Sequence, residues 1–277
     1  MSLLIQYYVV DAFAEMPFHG NPAGVCLLDE WVDDSVMQQI AFENNLAETA
    51  FLVKRDGYYD LRWFTPKVEI DLCGHATLGS AFTLMNDVNP SMTHVDFHTK
   101  SGPLAVTKTG DVYQMDFPSR KAVPCAKPKV LEEALGVKVQ ATFQSRDLLV
   151  LLEDESEVAA LQPNLSLLAE IKDCFAVIVT AKSSSCDFVS RFFAPNAGID
   201  EDPVTGSSHC TLIPFWSERL HKKDMTARQL SPRGGTLICR DCGDRVSIGG
   251  KAVCYLSGTI NVETAVCGQV LYAAKRF

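Results

Sequence analysis

The chain has 277 residues, 47% of them hydrophobic and 21% charged, enough for one large domain or two ordinary ones with a sizeable core. Its formal net charge of -9 argues against nucleic acid or an anionic membrane surface as a partner, since both demand a basic face. No apolar run approaches the roughly 20 residues of a membrane span.

The apolar N-terminal segment lacks the positive start and small-residue cleavage site of a signal peptide and reads as a first strand over 3–11. The loop that follows carries Gly20-Asn21-Pro22-Ala23-Gly24, where both glycines allow unusual backbone angles and Pro22 fixes one. A short strand, Val25–Leu28, leads to a helix over 35–44, with Asp33 or Asp34 as its cap. Strands are expected over 46–53 and 57–64. Then comes Asp71-Leu72-Cys73-Gly74-His75, opening a helix from His75 to about Met85 that is apolar around most of its circumference, the mark of a buried helix. Strands follow near 93–98, 102–108 and 112–117. The Pro-rich, polar stretch 118–128 is the best candidate linker.

Beyond it the pattern recurs loosely: a helix at 130–135, strands near 138–144 and 147–152, helices at 155–160 and 164–171, and strands at 174–180 and 186–194. A second buried helix runs from Ser207 to about Leu220. Strands near 226–230, 235–240, 244–248 and 251–256 complete the count, with a last one near 268–274. Gly249-Gly250-Lys251 lacks the glycine spacing of a phosphate loop and reads as a hairpin turn.

Residues 62–71 and 191–200 agree at Arg, Phe, Pro, Ile and Asp, five positions of ten, and each leads through a polar turn into a buried helix. The placement points to a pseudo-duplicate. The expectation is an α+β fold with two similar domains, 1–118 (completed by 268–277 if that strand returns to it) and 119–267. Each domain is a curled, mostly antiparallel sheet around a central buried helix, and the active site lies in the cleft between them.

The first N–H groups of a helix have no internal partner and carry roughly half a positive charge. Two helix starts facing each other, with Gly74 and Gly206 allowing close approach, suit a carboxylate or a developing oxyanion. The plainer reading is two ordinary caps, by Asp71 and by Thr205 or Ser207. Glu48 lies in an apolar setting and is either a solvated strand end or a partly buried acid/base. His75, at a helix start, suits hydrogen bonding or proton shuttling, although a lone histidine is more often structural. Glu201-Asp202 before the second helix serves the helix dipole or a site. Cys73 is either a thiolate favoured by the helix start or a buried filler. The ten cysteines are scattered, and reduced core cysteines imply cytoplasm. Cys239 and Cys242 form the single close pair, with no second pair or histidines at ligand spacing, so no metal is expected.

Gly20-Asn21-Pro22, Leu46-Ala47-Glu48-Thr49-Ala50-Phe51, Arg62-Trp63-Phe64-Thr65-Pro66, Gly74-His75-Ala76-Thr77 and Glu201-Asp202-Pro203-Val204-Thr205-Gly206-Ser207 occur together in one order. In this the chain resembles the PhzF family of phenazine biosynthesis-like isomerases over essentially its whole length. The resemblance implies the diaminopimelate epimerase-like fold, a homodimer, and cofactor-free acid/base catalysis. Glu48 falls on the family's proton-shuttling glutamate, and His75 and Asp202 on its accompanying polar pair. Gly74, Gly206 and Ser207 fall on the part that holds a substrate carboxylate. Ala47 departs from the serine often found there, removing one substrate hydrogen bond. The partner expected is therefore a small carboxylate-bearing metabolite. Two alternatives stand beside it: a binding or adaptor protein on the same fold, and a cysteine-dependent racemase using Cys73, with Thr205 or nearby Cys210 opposite.

Overall fold

The computed structural model describes residues 2–263; the strand expected at 268–274 lies outside them. The first half contains β1 (Ser2–Ala12), β2 (Asn21–Leu28), α1 (Asp34–Asn44), β3 (Glu48–Lys54), β4 (Tyr59–Phe64), β5 (Glu69–Ile70), α2 (Gly74–Thr83), β6 (His94–Thr99), β7 (Gly102–Thr109) and β8 (Val112–Pro118). The second contains β9 (Val123–Pro124), α3 (Leu131–Leu135), β10 (Ala141–Gln144), β11 (Leu148–Leu151), α4 (Glu155–Ala160), α5 (Leu165–Leu168), β12 (Val177–Lys182), β13 (Phe188–Phe193), α6 (Gly206–Leu220), β14 (Asp224–Gln229), β15 (Gly235–Asp241), β16 (Arg245–Gly250) and β17 (Ala252–Glu263).

These strands form one mixed sheet. β2 pairs with β3 in parallel, and so do β4 with β6, β11 with β12, and β13 with β14; the other pairings are antiparallel. Parallel neighbours need a crossover, and each of these four has a helical one. α1 lies between β2 and β3, α2 between β4 and β6, α4 and α5 between β11 and β12, and α6 between β13 and β14. β8 pairs antiparallel with β16, so the sheet is continuous between the halves.

Burial follows the residue pattern. β14 alternates exposed and buried, as Asp-Met-Thr-Ala-Arg-Gln dictates, whereas β13, Phe-Val-Ser-Arg-Phe-Phe, is buried at every position. In α2 every residue from His75 to Thr83 is buried, and it packs on β1, β2, β3 and β8. Its buried hydroxyls turn back on its own carbonyls: Thr77 to Cys73, Ser80 to Ala76 and Thr83 to Gly79, at 2.5, 2.7 and 3.0 Å. Gly79 lets α2 sit against Val10 and Ala23, where a Cβ would stand 3.5 and 3.7 Å away. In α6, Ser208 to Ser217 are buried and the helix packs on β14, β15 and β16.

Several expectations need correction. Gly249 and Gly250 are the end of β16, opposite Gln114 and Tyr113, and not a hairpin turn. The chain continues into β17, which pairs with β1 instead of folding back. Glycine is required there because a Cβ at 250 would lie 2.5 Å from the Phe13 ring. Gly24 is inside β2 without unusual φ; a Cβ would stand 2.9 Å from Thr49 Oγ1. Asp33 occupies the N-cap of α1 but makes no capping bond, and Asp34 pairs with Arg62 at 2.8 Å. The stretch 118–128 is tied down: β9 pairs with β10, and the Arg120 N–H donates to Cys210 O at 2.8 Å.

Candidate active site

The two helix starts meet. A Cβ built on Gly74 would stand 3.7 Å from the Gly206 Cα, and one on Gly206 3.8 Å from the Gly74 Cα. Neither start has a side-chain cap. Cys73 holds the N-cap of α2 and Thr205 that of α6, both in extended backbone, and neither accepts from the first turn. Asp71, Thr205 and Ser207 are therefore not the caps of the plainer reading. Two positive helix ends in contact repel each other, so the place favours negative charge.

On the first side, Glu48 begins β3 opposite Ala23 of β2, and its side chain is 12% exposed. Its Oε2 lies 3.1 Å from His75 Nε2. This is an ion-pair contact that falls short of strict hydrogen-bond geometry, and among the described residues Oε2 meets no other donor. The contact is thus one between charges. Burial opposes the imidazolium, but Cys73 and Glu48 beside it outweigh burial and hold the His75 pKa well above its ordinary value. Cys73 Sγ is 3.5 Å from His75 Nδ1. Burial pushes the Cys73 thiol up, with the Glu48 charge adding to the rise, which opposes the thiolate reading.

On the second side, Asp202 accepts from Asn21 Nδ2 at 2.8 Å and from Thr205 Oγ1 at 2.5 Å. Gln229 braces this turn, donating to Asp202 O at 2.7 Å and accepting from Thr205 N at 2.9 Å. Burial raises the Asp202 pKa from 3.8 to about 6, against the His75 charge and the Thr205 bond, which lower it, while Glu48 pushes it higher. Asp202 thus feels both His75 and Glu48 across the helix junction. Glu201 turns away and forms a two-pronged pair with Arg191 at 2.6 and 2.8 Å.

Ser207, the one residue of the α6 start that is not buried, accepts from Arg146 Nη2 at 3.3 Å. Asn21, Gln229 and Arg146 were not singled out for roles from the sequence. Asn21 had a signal, lying inside Gly20-Asn21-Pro22; so did Arg146, whose neighbour Asp147 is an acid at the edge of the apolar run Leu148–Leu151. Gln229 had none.

Glu48, Cys73 and His75 each place a donor atom within 4.8 Å of the others, so this side offers the donor set for a metal ion. Of the close pair, Cys239 is buried and Cys242 exposed. Two surface cavities, of about 200 and about 560 Å³, are lined respectively by residues such as Met225 and Arg240 and by residues such as Lys129 and Asp173. Neither contains Glu48, His75 or Asp202. Among the described residues no helix is long and apolar enough to cross a membrane.

Residues 10–258 match the family model described as phenazine biosynthesis-like protein. An uncharacterized isomerase of Pseudomonas aeruginosa is 51% identical, over 92% of this chain and 98% of that one. The crystal structure of a PhzF family protein from Enterococcus faecalis superposes with a TM-score of 0.92 at 48% identity, covering 93% of this chain and 99% of that one. At 10% identity, a hydroxyproline epimerase from Agrobacterium vitis gives a TM-score of 0.64 over 94% and 93% of the two chains, a likeness of fold alone.

Proposed function

The chain belongs to the phenazine biosynthesis-like (PhzF) family, whose fold is epimerase-like with a mixed sheet, and we propose that it is a cofactor-independent isomerase moving a proton on a small carboxylate-bearing metabolite. The observation that carries this reading is Glu48 Oε2: a buried carboxylate oxygen beside His75, with no donor bonded to it, at the junction of two uncapped helix starts.

In the proposed reaction Glu48 takes a proton from a substrate carbon, leaving its electron pair delocalised as an enolate-like anion. The protonated Glu48 then returns the proton to a second carbon, so atoms and charge balance over the cycle. The N–H groups at Gly74 and Gly206, with Ser207, hold the substrate carboxylate and stabilise the developing charge. His75 in its charged form fixes the Glu48 carboxylate, and Asp202, its pKa raised to about 6, orients the substrate by hydrogen bonding.

The two-domain reading, 1–118 and 119–267, belongs to the same proposal. It is supported by the recurrence of two parallel crossovers in each half and by Arg62–Glu69 and Arg191–Glu201 pairs ahead of the two buried helices. The homodimer and the cytoplasmic location are part of it too, and light scattering of the purified chain tests the first. The racemase alternative loses support: Cys73 is buried with a raised pKa, the facing position is Thr205, and burial pushes Cys210 to about 11. A screen of carboxylic-acid metabolites for enzyme-dependent deuterium uptake from heavy water tests the reading. Uptake by at least one acid is expected; tight binding of acids without any uptake would favour the adaptor alternative.

A further inference from the structure

Pro214 lies inside α6 and brings no N–H, so the carbonyl four residues earlier, that of Cys210, loses its helical partner. The Arg120 N–H takes that carbonyl at 2.8 Å. This bond pins the crossing segment against α6 one turn beyond Ser207. The Arg120 guanidinium has no counterpart there. Its Nη1 is buried without a hydrogen-bond partner, as is the neighbouring Ser119 Oγ, and Arg120 enters no ion pair among the described residues.

Arg146 reaches the same turn from the other side. Its Nη2 donates to Ser207 Oγ at 3.3 Å, while Nε and Nη2 grip the Asp147 carboxylate at 3.0 and 2.9 Å. The Asp147 side chain is 1% exposed, and the Phe175 ring lies 4.7 Å from the Arg146 guanidinium carbon. A buried acid and an aromatic face thus hold Arg146 in one orientation. Both guanidiniums bear on the Cys210 thiol: burial raises its pKa to about 11, and Arg120 and Arg146 pull against that rise. Nearby Arg245 is already paired with Asp116 at 2.6 Å. Of these three cations, Arg120 is the one left without an acid, in a chain whose net charge is -9.

A charged nitrogen sealed without a partner is costly, and an anionic ligand group removes the cost. We propose that Arg120, pinned at Cys210, and Arg146, bonded to Ser207, both on the first turns of α6, bind a second anionic group of the substrate, a carboxylate or phosphate distinct from the carboxylate held at the paired helix starts. The substrates are then dianions. This rests on the isomerase reading and narrows its substrate class.

The test is calorimetric titration of the full chain with acetate, succinate and inorganic phosphate, using wild type, Arg120→Gln and Glu48→Gln. Wild type is expected to bind succinate or phosphate at least about tenfold more tightly than acetate, the scale of one charge-assisted bond. Arg120→Gln is expected to erase that preference while leaving acetate unchanged. Loss confined to succinate identifies the group as a carboxylate, and loss confined to phosphate identifies a phosphate. If Arg120→Gln does not fold, Arg120→Lys replaces it; it keeps the charge but not the planar fork, and a several-fold loss for the dianion is expected. No preference in wild type, or an unchanged preference in the folded variant, overturns the proposal. Glu48→Gln is expected to keep the wild-type preference, and deuterium uptake from heavy water, measured beside the titrations, reads failure of the proton chemistry separately from failure of this site.

Discussion

The two helix starts share a plan and differ in what stands on them. Each follows a strand bearing an arginine locked to a glutamate: Arg62 to Glu69 at 2.7 Å, Arg191 to Glu201 at 2.6 Å. Each has an uncapped first turn and a glycine against the other's backbone. Yet the first start carries Cys73, His75 and Glu48, with a carboxylate oxygen left unbonded, whereas the second carries Asp202 with both its oxygens bonded. Matched architecture provides two uncapped helix starts, a place that favours negative charge. In the proposed reaction the unmatched side chains divide the labour, with a free base on one side and a braced acid on the other.

The largest way to break the comparison is at the arginines. Arg191 is buried (8% exposed) and also donates to the carbonyl of Leu161 at 2.7 Å, so Arg191→Ala leaves Glu201 uncompensated and is expected to cost about 3–5 kcal/mol. Arg62 and Glu69 are 18% and 16% exposed, and Arg62→Ala is expected to cost about 1–3 kcal/mol. Denaturant melts of both variants check the ranking; equal losses would mean the two supports are equivalent.

The pH dependence separates the two starts next. Asp202 is raised, so between about pH 4 and 6 the folded chain binds the proton that the unfolded chain releases, and stability falls as pH rises through that window. A rise from 3.8 to about 6 amounts to about 3 kcal/mol, and Asp202→Asn is expected to flatten this part of the curve. His75 is also raised, but it is a base. Its contribution is full below the unfolded value near 6.5 and is lost as pH rises through the higher folded value. His75→Gln is expected to remove that alkaline loss and, because the His75 charge lowers the Asp202 pKa, to extend the acid window upward. Chemical melts across pH check both, and an acid window unchanged by Asp202→Asn would contradict the burial argument.

The smallest effect is expected at Cys73. Cys73→Ala removes a neutral, buried thiol, and deuterium uptake by a responsive acid should change by no more than about threefold. Loss of uptake on the scale of a missing base would restore the thiol mechanism.

The buried helices, the polar turns before them and the Arg-to-Asp repeat were legible in the sequence because periodicity and composition report burial directly. Glu48, His75 and Asp202 are singled out as a set only through the motifs they share with a family, since single acids and histidines carry little local signal. Gln229 stayed hidden because its partner Thr205 lies 24 residues away, and the role of Arg146, despite its acidic neighbour, because Ser207 lies 61 residues away. Gly249-Gly250 misled for a related reason: a hairpin is the local meaning of paired glycines, and only the distant Phe13 ring explains them otherwise. Pro214 acts through Arg120, which is likewise remote in the chain.

The central claim is that the unbonded oxygen of Glu48 moves the proton. Its most direct test follows solvent deuterium into a responsive carboxylic acid by proton NMR, comparing wild type with Glu48→Gln at matched fold and matched ligand affinity. Glu48→Gln is expected to slow exchange by about 10²–10⁴-fold with binding retained. Exchange at the wild-type rate in a folded, ligand-binding Glu48→Gln protein would contradict the account.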